Sequence, residues 1–111
     1  MTFPVTQNWQ AFENRQPPVT DNSVPLLVTG EVETAYAALQ PVLRRAIPQG
    51  INPNILLLSL SVEQIDDLEP ARSTAFREVR FDDTVSLGQF TQVDIISATG
   101  FVQSINVQVT N

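Results

Sequence analysis

Hydrophobic and polar residues alternate with a period of two along several stretches of this 111-residue chain. From Pro25 to Thr34, Leu26, Val28 and Val32 fall on one side and Thr29, Glu31 and Glu33 on the other, as in a strand with one face in a core. Gly30 lies on the apolar side, where a missing side chain marks a bulge or a close backbone approach. Ile55–Glu63 gives the strongest pattern. Leu56, Leu58, Leu60 and Val62 share a face, while Ile55 and Leu57 give way to Ser59, Ser61 and Glu63 on the other. Further strands are expected over Ala75–Phe81, Phe90–Ser97 and Phe101–Thr110; in the last, Phe101, Ile105, Val107 and Val109 share a face.

Between these runs the turn chemistry is explicit. Pro48-Gln49-Gly50-Ile51-Asn52-Pro53-Asn54 is the clearest turn, and Asp82-Asp83 and Ala98-Thr99-Gly100 supply two more. Over residues 35–47, Tyr36, Leu39, Leu43 and Ile47 fit helical spacing, but Pro41 inside a helix would cost about 3 kcal/mol. A bend over Ala35–Gln40 followed by a strand over Val42–Ile47 is therefore expected. Gln64–Ser73 reads as an acidic connection, with a one-turn helix begun by Ser61 and Gln64 as the rival. Residues 1–23 read as an extended, proline-broken lead-in packed on a domain spanning 24–111. Valine, isoleucine and threonine make up 30 of the 111 residues, which favours sheet, and the eight prolines leave little room for helices. The expected fold is all-β: an antiparallel, immunoglobulin-like β-sandwich of about seven strands. The Cys…Trp…Cys mark of true immunoglobulin domains is absent.

Composition narrows the chemistry. The chain has six arginines, twelve acids, no lysine, no histidine and no cysteine, for a formal charge of −6. Without cysteine there is no disulfide or thiolate nucleophile, and without histidine no imidazole base. Without lysine there is no side-chain Schiff base. What remains for catalysis is carboxylate pairs, Tyr36, arginine electrostatics and backbone amides, so the expectation is a protein without enzymatic activity and without a cofactor. Acids outnumber bases two to one, which disfavours nucleic acid and anionic membrane surfaces. The start of the chain lacks the pattern of a signal peptide, and the run Ile55–Leu58 is far too short to span a bilayer, so the cytoplasm is the default compartment.

Protein–protein contact or self-association is then the leading functional expectation. Trp9 and Phe12, placed outside the strands, either cap the open end of the sandwich or anchor a partner. The C-terminal strand carries Ile105, Val107 and Val109 with neither charge nor proline from 105 to 110, so it could pair with another chain if it lay at a sheet edge. The alternative is a calcium or small-ligand module built on Asp66, Asp67, Glu69, Asp82 and Asp83. That spacing matches no EF-hand, and no metal ligand set is assigned. Arg44, Arg45, Arg72, Arg77 and Arg80 are expected in cross-strand pairs with acids such as Glu31, Glu33, Glu63 or Glu78 rather than in one anion clamp.

Overall fold

The computed structural model describes residues 4–15, 22–64 and 72–110. Seven strands account for most of them: β1 (Thr6–Asn14), β2 (Ser23–Thr34), β3 (Leu39–Arg45), β4 (Ile55–Gln64), β5 (Ala75–Ser86), β6 (Gln92–Ser97) and β7 (Gly100–Thr110). No helix occurs among the described residues, so nothing there is long and apolar enough to cross a membrane as a helix. The all-β expectation holds.

The strands form one mixed sheet in the order β3-β4-β6-β7-β1-β2-β5. β1/β2, β2/β5, β3/β4 and β6/β7 are antiparallel, whereas β1/β7 and β4/β6 are parallel. Purely antiparallel pairing is therefore corrected. Period-two alternation looks the same in either direction, so the pattern could not choose between them. β7 joins the two halves of the sheet: its residues 100–106 pair with β6, and Val107–Thr110 pair with β1. At the two ends of the strand order, β3 and β5 approach each other, and Arg45 reaches Asp83 across the gap at 3.1 Å. The sheet thus comes close to closing as a barrel.

One core fills the interior. It draws Val24, Leu26 and Val28 from β2, Leu56, Leu58 and Leu60 from β4, and Val93 and Ile95 from β6. These are the inward residues of strictly alternating strands, and at about 25 cal/mol per Å2 of apolar surface they dominate stability.

Three expectations change. Thr6–Asn14, read as lead-in, is an interior strand between β2 and β7. Its inward side carries Trp9, Ala11 and Glu13, which no hydrophobicity pattern would flag, although Ala11 and Glu13 are fully buried. Asp82 and Asp83 do not form a turn, because β5 runs through them in an unbroken twelve-residue register with β2. Asp82 pairs with Arg80 on its own face, and Asp83 with Arg45. The third strand spans Leu39–Arg45 with Pro41 inside it, earlier than expected; as an edge strand it tolerates a residue that cannot donate to the ladder.

Candidate functional site

Trp9 lies in β1, not in a loop. Its half-buried ring packs against the core, and its Nε1 donates to Thr6 Oγ1 at 2.9 Å. Gly30 is the reason the ring fits. A Cβ there would collide with Trp9 Cε3, so the glycine on the apolar side of β2 leaves room for an indole from the next strand. Phe12 is half-buried in the same strand and pairs in register with Leu27.

β7 is interior in the strand order, so the free-edge pairing envisaged for it has no edge to use. Ile105 belongs to the core, Val107 packs on it, and Val109 is exposed. Phe101 was expected on the same face, but the pairing skips a residue between Ile95↔Gln103 and Ile96↔Phe101. This bulge turns Val102 onto the core and leaves Phe101 in solvent. Of the five candidate contact residues, Ile105 lies in the core, Trp9, Phe12 and Val107 are half-buried, and Val109 is exposed.

The acidic alternative fares differently. Asp66, Asp67 and Glu69 lie outside the described residues. Asp82 and Asp83 are neighbours on opposite faces of β5, each held by a different arginine. Among the described residues no three acidic side chains converge as a metal site would require. Arg44 pairs with Glu63, as expected for cross-strand partners.

The sheet's real edges, β3 and β5, are poor templates for another strand. β3 carries Pro41, Arg44 and Arg45, and β5 carries Arg77, Glu78, Arg80, Asp82 and Asp83. Proline and charge are the usual protections against edge-to-edge pairing.

What stands out instead is the loop between β3 and β4. Ile47 and Ile51 are 96 % and 105 % exposed, the most exposed large hydrophobic side chains among the described residues. The loop is nevertheless tightly built. Gln49 Nε2 donates to the carbonyls of Ala46 (2.7 Å) and Leu57 (2.8 Å), and its Oε1 accepts the Leu57 N–H at 2.9 Å. A glutamine side chain thereby extends the ladder beside the start of β4. Asn52 Oδ1 accepts from Asn54 N–H at 2.9 Å, closing an Asx-turn. Asn54 Nδ2 donates to the Gln89 carbonyl, and Thr91 N–H to the Asn54 carbonyl, tying the loop to the β5–β6 connection. The Ile47–Pro48 peptide bond is cis.

From 46 to 54 the loop contains no charged residue. Its turn residues were legible in the sequence, but its apolar display was not. The available signal was two bulky aliphatics among proline, glycine and asparagine, where turn chemistry alone calls for polar side chains.

At the opposite end of the strands lies an open cavity of about 540 Å3. Val5, Val32, Ala35, Leu60, Val62 and Ala98 line its walls, together with two exposed residues of opposite charge, Glu33 and Arg72. Arg72 also stacks over the Tyr36 ring at 6.0 Å. Among the described residues, fold and surface define a small, nearly closed β-domain with a projecting apolar loop, a smaller hollow beside that loop lined by Gly50, Ile51, Ile55 and Leu57, and the apolar hollow at the far end. Comparison with protein-family models, with curated proteins and with solved structures found no match.

Proposed function

We propose that this chain is a non-catalytic β-domain that works by protein–protein contact, and specifically by self-association. The observation that carries this reading is the β3–β4 loop, which holds two isoleucines fully in water on a hydrogen-bonded frame. Burying a side chain of this size is worth about 1.5–3 kcal/mol. A loop already fixed by Gln49, Asn52 and Asn54 loses little entropy on docking, so most of that gain is available for binding. The absence of histidine, lysine and cysteine supports a binding role over a catalytic one. One core shared by both halves of the sheet supports reading the architecture as sandwich-like, and strand number is what favours an immunoglobulin-like description.

The test is size-exclusion chromatography with light scattering at high micromolar concentration. The wild-type chain should run larger than a monomer. Ile47→Ser combined with Ile51→Ser should weaken association by more than about 100-fold, the loss expected for two buried aliphatic side chains. A wild-type protein that stays monomeric at these concentrations overturns the reading.

A further inference from the structure

We infer that the contact is head to head: two copies meet about a two-fold axis, each pressing its β3–β4 loop into the small hollow beside the other's loop. This rests on the self-association reading and specifies its geometry. A two-fold contact needs a projection and a recess on a single patch, so that each copy supplies both. The loop end has the pair. Ile47 projects fully into water, and Gly50, Ile51, Asn52, Ile55, Leu57 and Asp94 wall a hollow of about 210 Å3 beside the same loop. A cavity of about 150 Å3 already holds a benzene ring, so the hollow has room for one isoleucyl side chain from the partner copy.

Charge selects a second copy and the direction from which it approaches. The excess of acids is uneven along the strands. Glu31 and Glu33 on β2, Glu63 on β4 and Glu78 on β5 stand toward the end away from the loop. Asp66, Asp67 and Glu69 lie on the stretch joining Gln64 to Arg72, which lines the far cavity. Against these seven acids stand Arg44, bonded to Glu63, and Arg72 and Arg77, so four negative charges are uncompensated. Of the other five acids, Glu13, Asp82 and Asp83 are ion-paired with the remaining arginines, Arg15, Arg80 and Arg45. Residues 46–54 of the loop, and 84–93 around the connection that braces it, carry no charge at all. A basic partner would be drawn to the acidic far end. Copies of this chain, all charged in the same uneven way, approach with least repulsion by their neutral loop ends. Asp94 is the one charge on the wall of the hollow, and its Oδ1 accepts from Gln92 Nε2 at 2.8 Å and from Ser104 Oγ at 2.7 Å. Because the same patch is used on both copies, assembly stops at two.

The chain has no cysteine, so a single introduced thiol reports on its own counterpart in a second copy. Gly50→Cys suits this purpose, because nothing lies within 4 Å of the point where a Cβ would stand. A short bis-maleimide should join Gly50→Cys into a covalent dimer, whereas Ala98→Cys, at an exposed position of the far cavity, should stay uncoupled. Light scattering of the wild type should give a molar mass that stops at two chains. Asp94→Asn keeps an acceptor for Gln92 and Ser104 and removes a like charge from the contact, so it should tighten the dimer about two- to fivefold. If the wild type assembles beyond two chains, if Gly50→Cys stays uncoupled, if Ala98→Cys couples, or if Asp94→Asn forms a dimer no tighter than the wild type, the head-to-head geometry is wrong and self-association stands. A monomeric wild type removes both.

Discussion

Gly30 and Trp9 show how one residue fixes a local arrangement. The indole occupies the space where any other residue at position 30 would place its Cβ, with three ring atoms inside 2.7 Å of that point. Gly30→Ala must therefore push the ring off the sheet. We expect destabilisation of about 1–3 kcal/mol, in line with other overpacked sites, read as a lower denaturant midpoint. Because Trp9 is the only tryptophan, its fluorescence should also shift to the red; unchanged emission and midpoint would disprove the tight fit.

Glu31 is a second residue-scale case. Its Oε1 accepts from Gln7 Nε2 at 2.8 Å and from Asn8 Nδ2 at 2.7 Å. These amides, Gln7 first, hold the Glu31 carboxyl below its usual pKa. A lowered folded-state pKa gives stability that is present above the ordinary carboxylate range and lost as pH falls through the lowered value. Thermal melts between pH 7 and pH 3 should show the wild type losing its advantage over Glu31→Gln as the solution is acidified. A gap that stays constant with pH would exclude this role.

At the scale of elements, a buried carboxylate links an interior strand to a distant loop. Glu13, on the inner side of β1, is 1 % exposed. It accepts the Gly88 N–H at 2.9 Å and the Arg15 Nε–H at 2.5 Å. Gly88 has φ +71, a left-handed conformation suited to glycine, so the β5–β6 connection turns there and is fastened to β1. Glu13→Ala leaves the Gly88 donor without its acceptor, at a cost of about 1–3 kcal/mol. Faster hydrogen exchange at the Gly88 amide should accompany that loss; an unchanged rate would mean the loop is held by other contacts. The ion pair across the near-closure of the sheet is weaker by comparison. Arg45 and Asp83 are each 40 % exposed, and pairs of this kind contribute less than about 1 kcal/mol. The shared core does more than this pair to keep β3 beside β5.

For the whole molecule, strand order decides which surfaces are free. Placing β7 between β6 and β1 removes the C-terminal strand from the edges, and the strands left there carry proline and charge. Backbone pairing between copies is thereby discouraged. Light scattering of Ile47→Ser/Ile51→Ser against the wild type reads, at this scale, what an exposed apolar loop does when many copies meet. The candidate site was half legible in the sequence. Proline, glycine and asparagine announced the loop over 48–54, but how far Ile47 and Ile51 stand out of it depends on Gln49 bonding to Leu57, a contact eight residues away. The cavity gave no advance sign, since its walls come from β2, β4, the β6–β7 turn and the residues before β1.

By itself, the order of residues determined the all-β class and the inward faces of the second and fourth strands, because alternation of Leu and Val with polar neighbours is a local property of extended chain. It also ruled out imidazole and thiolate chemistry outright. Only the tertiary structure decided that the first strand lies inside the sheet, that two pairings are parallel, and that Ile105 is core while Ile47 and Ile51 face water. Those outcomes depend on which strand becomes whose neighbour. A period of two reads the same beside any partner, and only packing around one shared core selects among them.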